Sequence, residues 1–154
     1  MSTLKEQLRT DMTAHMKSGN KLALMTLRNV LGEINTREKG GKTPVELDDQ
    51  QVTTLLQKEA ARRRETAQTY ADAGQAERAE QETAEAAFIE SYLPAPLTED
   101  DVVGIVEKAI AEHTVDGVKP GMRQMGQVMK SVSAEVVGRY DGKATSALVK
   151  ERLA

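Results

Sequence analysis

Apolar residues along the chain recur every three or four positions and are nowhere sustained at every second one. Leu4, Leu8 and Met12 fall at i, i+4 and i+8, which lays them along one side of a helix. Thr3 and Glu6 open that run as a T-x-x-E capping box. Gly19 stops it, and Asn20 caps a second helix whose stripe is Leu22, Met25, Leu31 and Ile34. The stretch from Lys39 to Leu47 holds Gly40, Gly41 and Pro44 and is expected to be a mobile loop. Asp48 with Gln51 is a second capping box, leading a long helix through Val52, Leu55, Leu56, Ala60, Ala67 and Tyr70. Gly74 interrupts it, and an Ala/Glu-rich helix runs on towards Tyr92. Its apolar positions, Ala79, Ala86, Phe88 and Ile89, are sparse until the end, so it should be largely exposed and pack through alanines.

Pro94 and Pro96 form the sharpest break, because neither residue continues a helix. Beyond it, Thr98 caps a new helix with Asp101 at its third position, and Val102, Val103, Val106, Ala109 and Ile110 form the inward stripe. Pro120 stands where another helix should start. Met122, Met125, Met129, Val132 and Val136 are expected to share one face, with Gly126 allowing close contact beside them. Gly138 ends that helix. Asp141 caps the last one, which Leu148, Val149 and Leu153 anchor. The pattern predicts an all-α protein of about seven helices. Residues 1–93 form an N-terminal helical domain of about four helices, and residues 98–154 a small C-terminal domain of three.

Composition narrows the chemistry. Aromatics make up 3% of the residues, so the core must be aliphatic. There is no cysteine, which excludes disulfides, thiol catalysis and zinc held by thiolates. His15 and His113 each stand near a helix end without an acidic or nucleophilic neighbour at triad or metal spacing, and Ser131, Ser133 and Ser146 have no evident base. There is no Gly-rich phosphate loop. The sequence therefore predicts no catalytic residue, no metal site and no cofactor. Residues 1–19 interleave charges with apolar residues, unlike a signal peptide, and no stretch approaches the roughly 20 apolar residues of a membrane span. A cytoplasmic chain without membrane contact is expected.

Charge is distributed unevenly. The net charge is −3, yet the stretch from Lys119 onward carries seven basic residues against three acidic ones, whereas Glu77 to Glu90 is strongly acidic. On a helical wheel Arg123, Gln127 and Lys130 fall opposite the Met/Val stripe, with Arg139 and Lys143 in the adjacent turn. Lys119, Arg123, Lys130, Arg139 and Lys143 are the candidate polyanion-binding residues, and Asp141-Gly142-Lys143 sets a helix start beside cations in a way that suits a phosphate. Tyr140 is the only aromatic there, so binding would be shape-directed and salt-sensitive. Glu59 and Arg63 are spaced for an i, i+4 pair, with Lys58, Arg62 and Arg64 able to extend a basic surface around them.

Four segments then resemble the YqeY family (the GatB/YqeY domain). These are Lys58-Glu59-Ala60-Ala61-Arg62-Arg63-Arg64-Glu65; Tyr92-Leu93-Pro94-Ala95-Pro96-Leu97-Thr98-Glu99; Met125-Gly126-Gln127-Val128-Met129-Lys130; and Gly138-Arg139-Tyr140-Asp141-Gly142-Lys143. The resemblance covers essentially the whole chain in order, and departs at Gln124, where the family commonly has Asp. It implies an N-terminal helical domain followed by a three-helix domain similar to the tRNA-binding tail of the B subunit of glutamine-dependent aspartyl/glutamyl-tRNA amidotransferase. The family label is a carbon–nitrogen ligase with glutamine as amido-N-donor, but the domains that carry that chemistry have no counterpart here. The resemblance thus implies a non-catalytic module that binds tRNA or another structured RNA. The alternative is a protein-interaction module that docks a partner through its Ala-rich acidic helix or its Met face.

Overall fold

Short polar side chains decide where most helices begin. The computed structural model describes residues 3–154, so Met1 and Ser2, included in the signal-peptide reading and the first domain, lie outside the described residues. Seven α-helices appear among the described residues: α1 (Thr3–Ser18), α2 (Lys21–Lys39), α3 (Asp49–Asp72), α4 (Ala76–Glu90), α5 (Glu99–Glu112), α6 (Met125–Val136) and α7 (Gly142–Leu153). Asn20 accepts from the Ala23 N–H, and Asp48 and Thr98 each close a reciprocal capping box, with Gln51 and Asp101. Each cap satisfies amides that the first helical turn leaves without carbonyl partners. Thr3 is a correction. It stands within the first turn of α1, not before it, and its hydroxyl donates to Asp49 at 2.6 Å while the Leu4 N–H donates to the same carboxylate at 3.0 Å. The start of α1 is thus held from the start of α3.

The described residues cluster into two compact units, one ending at Leu93 and the other beginning at Pro94. In the first, Leu8, Leu27, Val30, Ile34, Val52, Leu55, Leu56 and Ile89 form a closed aliphatic core. The buried stripe of α2 is Ala23, Leu27, Val30 and Ile34. Steps of four, three and four put those residues on one line, and Met25 falls off it and stays 57% exposed. The link after α2 is anchored, contrary to its composition. The Glu38 backbone carbonyl accepts from the Val45 N–H, and its carboxylate accepts from the Leu47 N–H at 2.9 Å and pairs with Lys5. Leu47 itself is buried in the core. Gly40 is required where α2 ends, because a Cβ there would meet the Thr36 carbonyl oxygen at 2.6 Å.

Long α3 and shorter α4 run together as a helical hairpin turned at Gly74, whose φ of 75° is left-handed. Ala86 and Ile89 are buried, whereas Ala76, Ala84 and Ala87 face solvent, as the sparse pattern of α4 predicts. The expected Glu59–Arg63 pair is not formed. Glu59 pairs with Arg62 at 2.7 Å, and Arg63 crosses to α4, meeting Glu85 at 2.5 Å and Glu82 at 3.6 Å. Two carboxylates on the facing helix outweigh one on the same face.

In the second unit α5, α6 and α7 enclose a valine-rich core of Val102, Val106, Val128, Val132, Val136, Val149 and Leu153. Met125 and Met129 pack against it, but Met122 lies in a 3₁₀ turn before α6 and is 44% exposed. Pro120 is buried ahead of that turn. Gly126 faces open space, so it provides no close helix approach. Between α5 and α6, Val115 and Val118 exchange both backbone hydrogen bonds, at 3.1 and 2.9 Å, around Asp116 and Gly117. Both turn residues have positive φ, 51° and 77°, as in a two-residue type I′ hairpin.

Candidate nucleic-acid interface

Some cations are engaged within the fold and others are not. In the first unit Lys5 pairs with Glu38, Arg62 with Glu59, Arg63 with Glu85 and Glu82, and Arg64 with Glu90. The Arg64 contact is two-pronged, at 2.5 and 2.8 Å, and holds the Glu90 carboxyl below its ordinary range. Of the cations expected to extend a basic surface around Glu59, Arg62 and Arg64 are engaged with carboxylates, while Lys58 is exposed and in no ion pair among the described residues. A polar cleft of about 420 Å³ between α2 and α3, reached by Arg28, Arg62 and Arg63, is lined with Glu33 and Glu59 as well.

In the second unit Arg152 stands 4.0 Å from Glu107, and no ion pair involves Lys119, Arg123, Lys130 or Lys143 among the described residues. All four are exposed. They occupy different elements. Lys119 follows the hairpin, Arg123 sits in the 3₁₀ turn, Lys130 is on the outer side of α6, and Lys143 is in the first turn of α7. Val128, Val132 and Val136 are buried on the opposite side of α6 from Lys130. Arg139 differs from the other four. It is half-buried, its Nε donates to the Ala95 carbonyl at 2.9 Å, and its own carbonyl accepts from the Leu97 N–H at 2.8 Å. It also lowers the carboxyl of Asp101, after the hydrogen bonds that group shares with Thr98.

The start of α7 is occupied from within. Asp141 accepts from the Ala144 N–H at 2.8 Å, so the carboxylate stands where a phosphate would approach the helix end. Asp141 itself thus fills the place where Asp141-Gly142-Lys143 was expected to suit a phosphate, while Lys143 remains an exposed cation.

Sequence reasoning missed two features. The first is a cavity of about 520 Å³ lined by Glu107, Ile110, Ala111, Thr114, Lys119 and Arg152, which brings Lys119 and Arg152 together. The second is a contact of 3.1 Å between His113 Nε2 and Ser131 Oγ, which links α5 to α6. Residues 18 apart in sequence give no local signal of such a contact. Gln124, at the position where the resemblance led one to expect Asp, accepts from the Gly121 N–H at 2.7 Å and shapes the turn. No group of three or more His, Asp or Glu side chains among the described residues is arranged to hold a metal ion. No helix among them is long and apolar enough to cross a membrane.

A family profile described as Yqey-like protein matches residues 5–153, nearly the whole chain. The chain belongs to the YqeY family. No curated protein matches it. For a YqeY-family protein, the Tyr92–Leu97 segment has a clear local role: the Tyr92 hydroxyl donates to Asp11 at 2.6 Å, and Leu97 is held by Arg139. Burial first, and then the Asp11 carboxylate, hold the Tyr92 phenol well above its ordinary pKa.

Proposed function

We propose that the second unit is a non-catalytic RNA-binding module, related to the tRNA-gripping tail of tRNA-dependent amidotransferases. The observation that carries this reading is the set of exposed, unpaired cations in a stretch that holds seven basic residues against three acidic ones. Lys119, Arg123, Lys130 and Lys143 stand exposed without carboxylates, with Arg139 as a fifth cation bound partly into the fold. In a protein of net charge −3, exposed cations gathered in one stretch without carboxylate partners favour a polyanion over a neutral partner. The proposed partner is tRNA or another structured RNA, met in the cytoplasm. Phosphate contacts by exposed lysines give affinity without base reading.

The test is RNA binding as a function of salt. Affinity for a structured RNA should fall steeply as salt rises, and K119A/R123A/K130A/K143A should flatten the slope by about 1 per lost phosphate contact. An unchanged slope in that variant overturns the proposal.

A second reading rests on the α3–α4 turn. Residues 71–78 are exposed throughout and carry Asp72 and Glu77, with Arg78 as the one cation, beside Ala71, Ala73 and Ala76. That tip offers an acidic, small-residue surface to a basic protein partner. The Met face offers no groove, since Met125 and Met129 are packed inward.

A further inference from the structure

The residues joining α5 to α6 carry the second unit's most exposed apolar side chains. Val115 is 67% exposed and Val118 is 70% exposed, in a stretch of four residues. Residues directly opposite in an antiparallel pair project to the same face, so the two valines stand side by side. Their backbones are fixed by the reciprocal hydrogen bonds of the type I′ turn, and the flanking Thr114 and Lys119 project to the opposite face of the hairpin. The cavity lies next to this hairpin: Thr114 and Lys119, the residues immediately flanking it, both line the cavity. Ile110 and Ala111 give it an apolar wall, and Lys119 and Arg152 bring two positive charges against the one negative charge of Glu107. Arg152 Nε stands 4.0 Å from Glu107 Oε1, too far for a hydrogen bond, so the guanidinium keeps its donors. The volume, about 520 Å³, falls within the roughly 300–1,000 Å³ typical of small-molecule clefts.

We infer that this cavity receives a single unstacked nucleotide from a looped or single-stranded stretch of RNA. The base lies against Ile110 and Ala111, and the adjoining phosphate lies on Lys119 and Arg152. The inference rests on the RNA reading above and deepens it. Its chemistry follows from the pairing of features: an apolar wall matches a base face, and two cations beside it match the phosphate attached to that base. Apolar side chains set against bases are a known means of engaging disrupted stacks. A paired duplex keeps its bases stacked and offers nothing to insert, so the cavity distinguishes loops from helices without reading sequence.

The test uses the full chain with two probes: a short oligouridylate, whose bases are unstacked, and a duplex RNA with the same number of phosphates. Ala111 is exposed, so A111F fills the cavity from its rim without disturbing the core. A111F should weaken oligouridylate binding on the order of tenfold and leave duplex binding unchanged. Since the chain has no Trp, E107W places a unique indole on the exposed edge of the cavity, and oligouridylate but not duplex should quench it. Equal effects of A111F on both probes, no effect on either, or saturation without quenching would overturn the cavity assignment while leaving the RNA reading standing. Absence of binding to both probes by the unmodified protein at low salt would overturn the RNA reading, and this inference with it.

Discussion

Glu38 shows how much one side chain can organise. It lies on the last turn of α2, and its carboxylate takes both the Lys5 ammonium and the Leu47 N–H. The Lys5 hydrogen bond, followed by the Leu47 amide, holds the carboxyl below its ordinary value of 4.5. A depressed value in the folded state means stabilisation that is complete above 4.5 and lost as the pH falls through the folded value. Urea unfolding as a function of pH should therefore show stability declining in acid, with E38Q flattening that part of the decline. At neutral pH E38Q should cost about 1 kcal/mol, because the amide still accepts from Leu47 but no longer pairs with a cation. The role of Glu38 was not legible in the sequence. A glutamate at the end of a helix pattern reads as solvated, and its partners lie 33 positions before it and nine after it.

At the level of elements, what the sequence shows is what a helix decides locally. Asn20, the Asp48/Gln51 box, the Thr98/Asp101 box and the double-proline break all act within a few residues, and each was readable. Bonds between elements were not, such as Asp49 holding the start of α1 or Arg63 crossing to α4. The Asp116-Gly117 hairpin carried a local signal, a D-G pair between valines, but its arms are too short to register as strands. The α3–α4 pairing makes a specific prediction. Glu85 is 8% exposed and Arg63 Nε is buried without a partner. Replacing Arg63 alone strands a buried carboxylate, so R63A should cost about 3 kcal/mol in chemical denaturation. The double variant R63M/E85M should recover most of that loss, since an apolar pair of similar volume removes the stranded charge.

Across the whole molecule, the five candidate cations were identifiable by composition alone, but their electrostatic state was not. Whether a lysine or arginine is available depends on carboxylates brought near by folding, which no local pattern reports. Arg139 illustrates the difference. Its side chain reaches the Ala95 carbonyl, 44 positions away, and the Leu97 amide donates back to its carbonyl. R139A should therefore lower the thermal midpoint of the protein, with a loss of about 1 kcal/mol. It should change the salt slope of RNA binding less than K130A does. A larger slope change for R139A than for K130A would place its guanidinium at the interface after all.

The anchoring of Leu47 and Val45 has a consequence for proteolysis. Between α2 and that anchor lie Gly41 and Lys42, exposed and followed within a few residues by backbone amides bound to Glu38. Limited trypsin should nick after Lys42 before it reaches the arginines of α3, because only a short arc must lift into the protease cleft. The two pieces should then co-elute on gel filtration and separate only in denaturant. The cut would sever the backbone but leave Leu47 lodged among the aliphatic residues, so the scission should be silent in the helical circular dichroism signal.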